Sequence, residues 1–156
     1  MVKTTYVGLG SPEAAVRKFE ALRLYVREQV ALQVECPQLG PDYMALGIAL
    51  DAVETAAYHF TRRRHFYHTA RGEAVARREG NGRLSDRAEA VAAFTALAPY
   101  QRALSAMQRQ CRPFGRDYLA LDIAKQGLET AAYHFTREAA FYGLPGDGAG
   151  ATRPAF

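Results

Sequence analysis

The octet ETAAYHFT occurs twice in the chain, at 54–61 and 129–136, and each copy carries a glutamate and a histidine. Both residue types are common metal ligands. Diiron sites in helical bundles place Glu and His three residues apart, so that both side chains project inward. Here the spacing is five residues, which puts them on opposite sides of a helix. We therefore expect no metal or cofactor at His59 and His134, and instead a hydrogen bond to the threonine one turn earlier or to a group across an interface.

A catalytic role for the octet would require a second titratable group close to its carboxylate. Glu54 and Tyr58, and likewise Glu129 and Tyr133, are four residues apart and can touch on one helix face. A carboxylate that accepts a phenol hydrogen bond is usually structural, and acid–base catalysis also needs a pocket. The chain contains no nucleophile motif, phosphate-binding glycine loop or zinc-type Cys and His cluster. The sequence thus favours a protein that is not an enzyme.

The positive charge is concentrated in one segment, residues 62–87. It has eight arginines and three acidic residues, a local balance of +5 in a chain whose formal net charge is +4. Arginines could contact phosphates, and the aromatic residues at 65–68 could stack on bases. The second octet is followed by REAAFY rather than RRRHFY, so the basic run belongs to one half only. Contact with nucleic acid or an acidic protein is expected to use Arg62, Arg63, Arg64, Arg71, Arg77 and Arg78.

The cysteines and the apolar runs indicate the compartment. Cys36 and Cys111 are too few for a disulfide framework, so we expect buried or capping thiols, with a disulfide between them as the alternative. The longest apolar run, YMALGIAL, is far shorter than a bilayer span, and the first ten residues lack the apolar core of a signal peptide. These features predict a cytoplasmic protein that does not bind a membrane.

The two octets belong to a longer duplication with an offset of 75 residues. Residues 36–67 align with 111–142 without a gap, and 19 of the 32 positions are identical. The preceding stretches match more weakly at the same offset, so the duplicated unit is a block of two helices. We expect a single domain over 1–156, with repeat 1 at about 10–67, a linker at 68–84, repeat 2 at about 85–142 and a mobile tail at 143–156.

Start and stop signals define the first helix of each repeat. Ser11 and Asp86 are suitable N-caps, and a proline follows the expected end of each helix. The predicted helices span 12–35 and 87–110, and Pro99 predicts a kink in the second of them.

The second helix of each repeat begins after Asp42 or Asp117, which we expect to be the N-caps, and continues to about Tyr67 or Tyr142. Each repeat is therefore a helical hairpin. The predicted fold class is all-α: a four-helix bundle made of two duplicated helical hairpins related by a pseudo-twofold axis.

Two lines of side chains follow these second helices. One line is rich in alanine and other apolar residues, which predicts the bundle core. The other line lies about 100° around the helix and is apolar or aromatic where a monomer would normally carry charges. We expect it to be a self-association interface, consisting of Ile48, Thr55, His59, Phe66, Ile123, Thr130, His134 and Phe141.

These features favour a non-enzymatic structural or protein-interaction module that forms a homodimer through the second helix of each hairpin. A nucleic-acid-binding adaptor that uses the basic segment 62–87 is the first alternative. A bundle that holds a small ligand or a metal near His59 and His134 is the second.

Overall fold

The structure, a computed structural model, describes residues 6–68 and 82–143. Residues 69–81 of the predicted linker and 144–156 of the predicted tail lie outside these ranges. The described part is all-α, with six α-helices, one 3₁₀ helix and no strand. The helices are α1 (Pro12–Glu20), α2 (Arg23–Val34), α3 (Pro41–Thr61), the 3₁₀ helix Arg83–Ser85, α4 (Arg87–Ala96), α5 (Ala98–Arg109) and α6 (Arg116–Thr136).

The first helix predicted for repeat 1 is interrupted between α1 and α2, so the prediction of one helix over 12–35 was wrong. In a continuous helix the carbonyl oxygen of Phe19 would accept the amide of Arg23. Instead it accepts the hydroxyl of Tyr67 at 2.7 Å and the amide of Leu22 at 3.1 Å. A tyrosine from the end of the repeat thus replaces one helical hydrogen bond.

Repeat 2 has the same interruption, between α4 and α5. Tyr142 donates its hydroxyl to the carbonyl oxygen of Phe94 at 2.7 Å, and the amide of Leu97 bonds to that oxygen at 3.1 Å. Pro99, where a kink is predicted, follows in the first turn of α5. Since repeat 1 has Leu24 at the equivalent position and is interrupted as well, the feature common to both interruptions is the tyrosine contact and not the proline. Six helices therefore stand where four are predicted.

The helices α3 and α6 end six residues earlier than predicted, at Thr61 and Thr136. Arg62 and Arg137 follow with φ of 61°, a left-handed conformation that ends a helix. Each threonine donates its hydroxyl to a carbonyl oxygen of the last turn at 2.7 Å and accepts a backbone amide from beyond the helix end at 3.2 Å. The chain then turns back, which returns the following aromatic residues to the core.

Two of the four predicted N-caps are confirmed. Ser11 accepts a backbone amide at the start of α1, and Asp86 accepts one at the start of α4, each at 3.2 Å. At the starts of α3 and α6 the N-cap residues are glycines. The aspartates predicted as N-caps there, Asp42 and Asp117, instead lie in the first turn and contact the opposite repeat.

The helices form two layers. Helices α1, α2, α4 and α5 form one layer, and the long helices α3 and α6 form the other. Within this arrangement α1 and α2 pack on α3, and α4 and α5 pack on α6. The long helices α3 and α6 pack against each other and run antiparallel, since the last turn of each lies beside the first turn of the other. Gly127 permits this close approach, because a Cβ atom there would lie 2.8 Å from the Cβ of Ala52. Between α2 and α5, the rings of Tyr25 and Tyr100 stack with centroids 5.9 Å apart.

The core lies between the two layers and includes most of the predicted alanine-rich line. Arg64 and Ala139 belong to that line but are exposed, because α3 and α6 have already ended before them. The buried members of the line are Leu46, Ala49, Val53, Ala56, Ala57, Tyr67, Leu121, Ala124, Leu128, Ala131, Ala132 and Phe135.

Candidate functional site

The two octet histidines form reciprocal contacts between α3 and α6. Nε2 of His59 lies 2.8 Å from Oδ1 of Asp117, and Nε2 of His134 lies 2.7 Å from Oδ1 of Asp42. The alternative contact with the threonine one turn earlier was wrong for His59, since Thr55 donates to a backbone carbonyl. Each histidine therefore joins the end of one long helix to the beginning of the other, within a single chain.

This arrangement separates the histidines by the length of the helix pair. Each ring already has a carboxylate at Nε2 and lies edge-on to the following phenylalanine, with centroids 4.8 Å apart. Within residues 6–68 and 82–143, no group of three or more His, Cys, Asp or Glu could hold a metal ion. The geometry gives the histidines a role in joining α3 to α6.

The octet glutamates fix the turns that follow α3 and α6. Glu54 accepts the amide of Tyr67 at 3.0 Å, and Glu129 accepts the amides of Phe141 and Tyr142 at 3.1 and 3.0 Å. Burial raises the pKa of the Tyr67 and Tyr142 hydroxyls, so both remain neutral donors at ordinary pH. These carboxylates thus hold the turns that place the two tyrosines at the helix interruptions.

The predicted interface line is divided between the surface and the core. Ile48 and Ile123 are each 52% exposed, and the threonines Thr55 and Thr130 are exposed as well. Phe66 and Phe141 pack instead against the core phenylalanines of α1 and α4, with ring centroids 6.3 and 6.4 Å apart. Their assignment to a continuous outer line was wrong, because the helices end before reaching them.

Two exposed apolar residues of the same face are missing from that prediction. Met44 and Leu119 lie one turn before Ile48 and Ile123, and they are 52% and 46% exposed. Their equivalence under the 75-residue offset is the signal that could have identified them. We name the four residues Met44, Ile48, Leu119 and Ile123 the outer face.

The basic segment is only partly described. Arg62, Arg63 and Arg64 are exposed, and the guanidinium of Arg64 lies 6.0 Å from the ring centre of Tyr58. Arg83 bonds through its backbone amide and side chain to Glu35 at 3.1–3.2 Å. The other residues predicted to contact anions lie outside the described part of the chain: Arg71, Arg77 and Arg78. The nucleic-acid alternative therefore depends on the sequence alone.

Both cysteines are unpaired and buried, which confirms the prediction of buried thiols. Each thiol donates to the carbonyl oxygen four residues earlier, at 3.5 Å. Burial raises the pKa of Cys36 to about 11, with smaller contributions from nearby carboxylates, and also raises that of Cys111. Neither thiol is an activated nucleophile.

A cleft of about 420 Å³ lies along α6, between α5 and the turn at 139–143. Its lining includes Lys125, Asp122 and Glu129, together with neutral polar side chains. The sequence-based prediction contained no such site. The signal for it is a difference between the repeats, since Lys125 stands where repeat 1 has Leu50.

Comparison with known proteins gives no relative: the chain matches no protein-family model, no curated protein and no solved structure. None of the helices in residues 6–68 and 82–143 combines the length and the apolar character required of a transmembrane segment.

Proposed function

We propose that the protein is a non-enzymatic structural or protein-interaction module that forms a homodimer. In this proposal the two hairpins are a duplicated unit related by a pseudo-twofold axis, and together they form a four-helix bundle. A second copy of the chain covers the outer face of α3 and α6. We place this module in the cytoplasm, in keeping with its two unpaired thiols.

The pseudo-twofold is supported by contacts that repeat at the 75-residue offset. The pair His59–Asp117 becomes the pair His134–Asp42 when each residue is exchanged for its equivalent. Likewise, Tyr25 stacks on its own equivalent, Tyr100, which is the arrangement expected close to the axis. In this description α1 with α2, and α4 with α5, each count as one interrupted helix of the bundle.

The observation that carries the proposal is the outer face. Its four apolar side chains are all exposed, and they lie on the sides of α3 and α6 turned away from the core. Thr55 and Thr130 continue the same face, with the exposed Asp51 and Gln126 between them and the isoleucines. Scattered exposed apolar residues need no explanation, but a contiguous apolar patch on a helix pair indicates a binding surface.

A second copy of this chain is the partner that fits the face best. The face consists of two equivalent halves, one on α3 and one on α6. A second copy related by a twofold axis would therefore place the same four residues against it. Ile48 and Ile123 are central to this contact, since the carbonyl of Ile48 lies beside Gly127 at the crossing of the two helices. Such an isologous contact leaves no part of the patch without a counterpart.

The proposal is tested by placing charge at the centre of the face. The double variant Ile48→Glu/Ile123→Glu should be monomeric in sedimentation and native mass measurements, whereas the unchanged chain has twice the chain mass. Helix content by circular dichroism should be the same in both, because these side chains are not part of the core. Burial of two like charges in a symmetric contact opposes association.

The matched control is Leu24→Glu, which introduces the same charge at an exposed leucine of α2, in the opposite layer. This variant should keep the mass of the dimer. An unchanged chain that is monomeric at high micromolar concentration, or a double variant that stays dimeric, would exclude the outer face as the self-association surface.

A further inference from the structure

The cleft along α6 is distinguished by a charged side chain that lines it and is nevertheless buried. Lys125 is only 6% exposed, although it lines the cleft. Gln101 of α5 and the carboxylates Asp122 and Glu129 of α6 share the lining. The small residues Ala139, Ala140 and Gly143 form its outer edge.

Comparison with repeat 1 shows that this composition is not required by the fold. Lys125 occupies the position of Leu50, which is completely buried in repeat 1, so a leucine satisfies the packing there. Gln101 and Asp122 likewise replace valine and glycine. At the edge of the cleft, Ala139 and Ala140 replace an arginine and a histidine, which removes two large side chains. The differences make the cleft both more open and more polar in repeat 2.

Lys125 is held in place by a hydrogen-bond network behind the cleft. Its Nζ donates to Oε1 of Gln108 at 2.8 Å. The side-chain nitrogen Nε2 of Gln108 donates in turn to the carbonyl oxygen of Tyr118 at 3.2 Å and to Oδ1 of Asp122 at 3.3 Å. Because Gln108 is itself buried, the amine has a fixed position.

The surroundings of Lys125 favour its neutral form. Burial lowers the pKa of the amine, and the charge of Arg109 acts in the same direction. The carboxylates of Asp122 and Glu129 oppose this effect in part. The lowered pKa leaves more of this amine in the neutral, nucleophilic form than in a solvent-exposed lysine.

We propose that the cleft binds a small neutral aldehyde or ketone, which Lys125 holds as an imine. An anionic ligand is disfavoured, since it would lie beside the two carboxylates of the cleft. The volume of about 420 Å³ is within the range of small-molecule sites.

The reaction needs only the protein and the carbonyl compound. Nζ of Lys125 attacks the carbonyl carbon, and proton transfer from nitrogen to oxygen gives a carbinolamine. The carbon–oxygen bond then breaks, the hydroxyl group leaves as water after protonation, and the nitrogen loses its remaining proton to give the neutral imine. Asp122 is placed to relay these protons, since it lines the same cleft. No electron is gained or lost, so the step requires no oxidant.

The test uses the full-length protein with benzaldehyde and cyanoborohydride, which reduces an imine to a stable secondary amine. The chain has only three lysines, at positions 3, 18 and 125, so peptide mass mapping resolves the site of labelling. At pH 7 Lys125 should be labelled at least about tenfold faster than Lys18, because binding in the cleft holds the aldehyde beside its amine. Its rate should also saturate with increasing benzaldehyde, whereas labelling of Lys18 should stay linear.

Two variants separate a binding site from a merely reactive amine. Lys125→Leu, which restores the residue of repeat 1, should remove the saturable labelling. Ala139→Arg, which also restores a repeat 1 residue, should suppress it by closing the cleft while Lys125 remains. Circular dichroism should show that both variants keep their helix content.

The inference is overturned if Lys125 is labelled no faster than Lys18, if its labelling does not saturate, or if Ala139→Arg leaves it unchanged. None of the four outer-face residues lines the cleft, although Thr130, which continues that face, does. Labelling of the Ile48→Glu/Ile123→Glu variant should therefore match that of the unchanged chain. This comparison keeps the outcome for the cleft independent of the outcome for the homodimer.

Discussion

At the scale of single residues, the buried hydroxyls of Tyr67 and Tyr142 connect the end of each repeat to its beginning. Each hydroxyl bonds to the carbonyl oxygen at which the first helix of its repeat is interrupted. Burial raises the pKa of Tyr67 above its ordinary value of about 10. The folded protein thus favours the neutral phenol more than the unfolded chain does. The stability that the neutral phenol contributes is complete below about pH 10, the ordinary pKa of tyrosine in the unfolded chain. It is lost as the pH rises through the folded-state pKa.

The variant Tyr67→Phe should therefore lower the free energy of unfolding at pH 7 by about 1 kcal/mol, the typical contribution of one intramolecular hydrogen bond. At pH 10.5 the difference in unfolding free energy between the variant and the unchanged chain should shrink. In the unchanged chain, Tyr67 then loses its proton more readily in the unfolded state, which favours unfolding. Urea unfolding at the two pH values measures both effects. Tyr133→Phe is the control, since this exposed ring should change stability by less than about 0.5 kcal/mol. A Tyr67→Phe effect that is the same at both pH values would contradict the assignment.

At the scale of helices, the contact between α3 and α6 depends on the small residues at their crossing. A Cβ atom on Gly127 would lie 2.8 Å from the Cβ of Ala52 and 3.3 Å from the Cα of Ala49. Backbone and alanine atoms cannot move aside, so the helices would have to separate. Gly47 of α3 is different, because the nearest atom to a Cβ added there would be the side-chain nitrogen of Gln33, at 3.3 Å.

The variant Gly127→Ala should destabilise the protein, because overpacking costs typically about 1–3 kcal/mol and exceeds the gain of about 1 kcal/mol in helix propensity. Gly47→Ala is the matched control in the other long helix. It should be neutral or stabilising, since the side-chain amide of Gln33 can shift and the gain in helix propensity from alanine remains. Urea unfolding of both variants provides the measurement. Equal effects would show that the crossing has more room than the distances indicate.

The positions of most helices could be predicted because local signals determine them. Ser11 and Asp86 cap their helices as expected, and the alanine-rich line is largely buried. The interruption of repeat 1 could not be predicted, because it depends on a hydroxyl 48 residues away in the chain. The roles of Asp42 and Asp117 are also tertiary, since each aspartate meets a histidine of the other repeat. Helix propensity and capping preferences contain no information on such distant partners.

The cleft illustrates a different limit of prediction. Lys125 is an ordinary helix residue by propensity, and nothing in its local sequence indicates burial. Only its equivalence with the buried Leu50, together with the two alanines that replace larger residues at 139 and 140, distinguishes the site. In a chain with two similar halves, a position-by-position comparison of the halves can thus locate a candidate site that no motif marks.

At the scale of the whole molecule, the two repeats depend on each other. The contact between α3 and α6 is the largest between helices in the described part of the chain, and the tyrosine stack of α2 and α5 also joins the repeats. A hairpin of this size alone would expose the alanine-rich side of its long helix, and domains so small are only marginally stable even when their apolar surface is buried. We expect that neither repeat folds as a monomer.

Separate expression of residues 1–75 and 76–156 tests this dependence. Each fragment alone should have low helix content by circular dichroism or should form a homodimer in which its long helix pairs with a second copy of itself. An equimolar mixture should recover the helix content of the full chain, because it restores the contacts of α3 with α6 and both histidine–aspartate pairs. A fragment that is monomeric and fully helical would show that one hairpin suffices. The duplication would then serve the outer face and the cleft rather than the closure of the core.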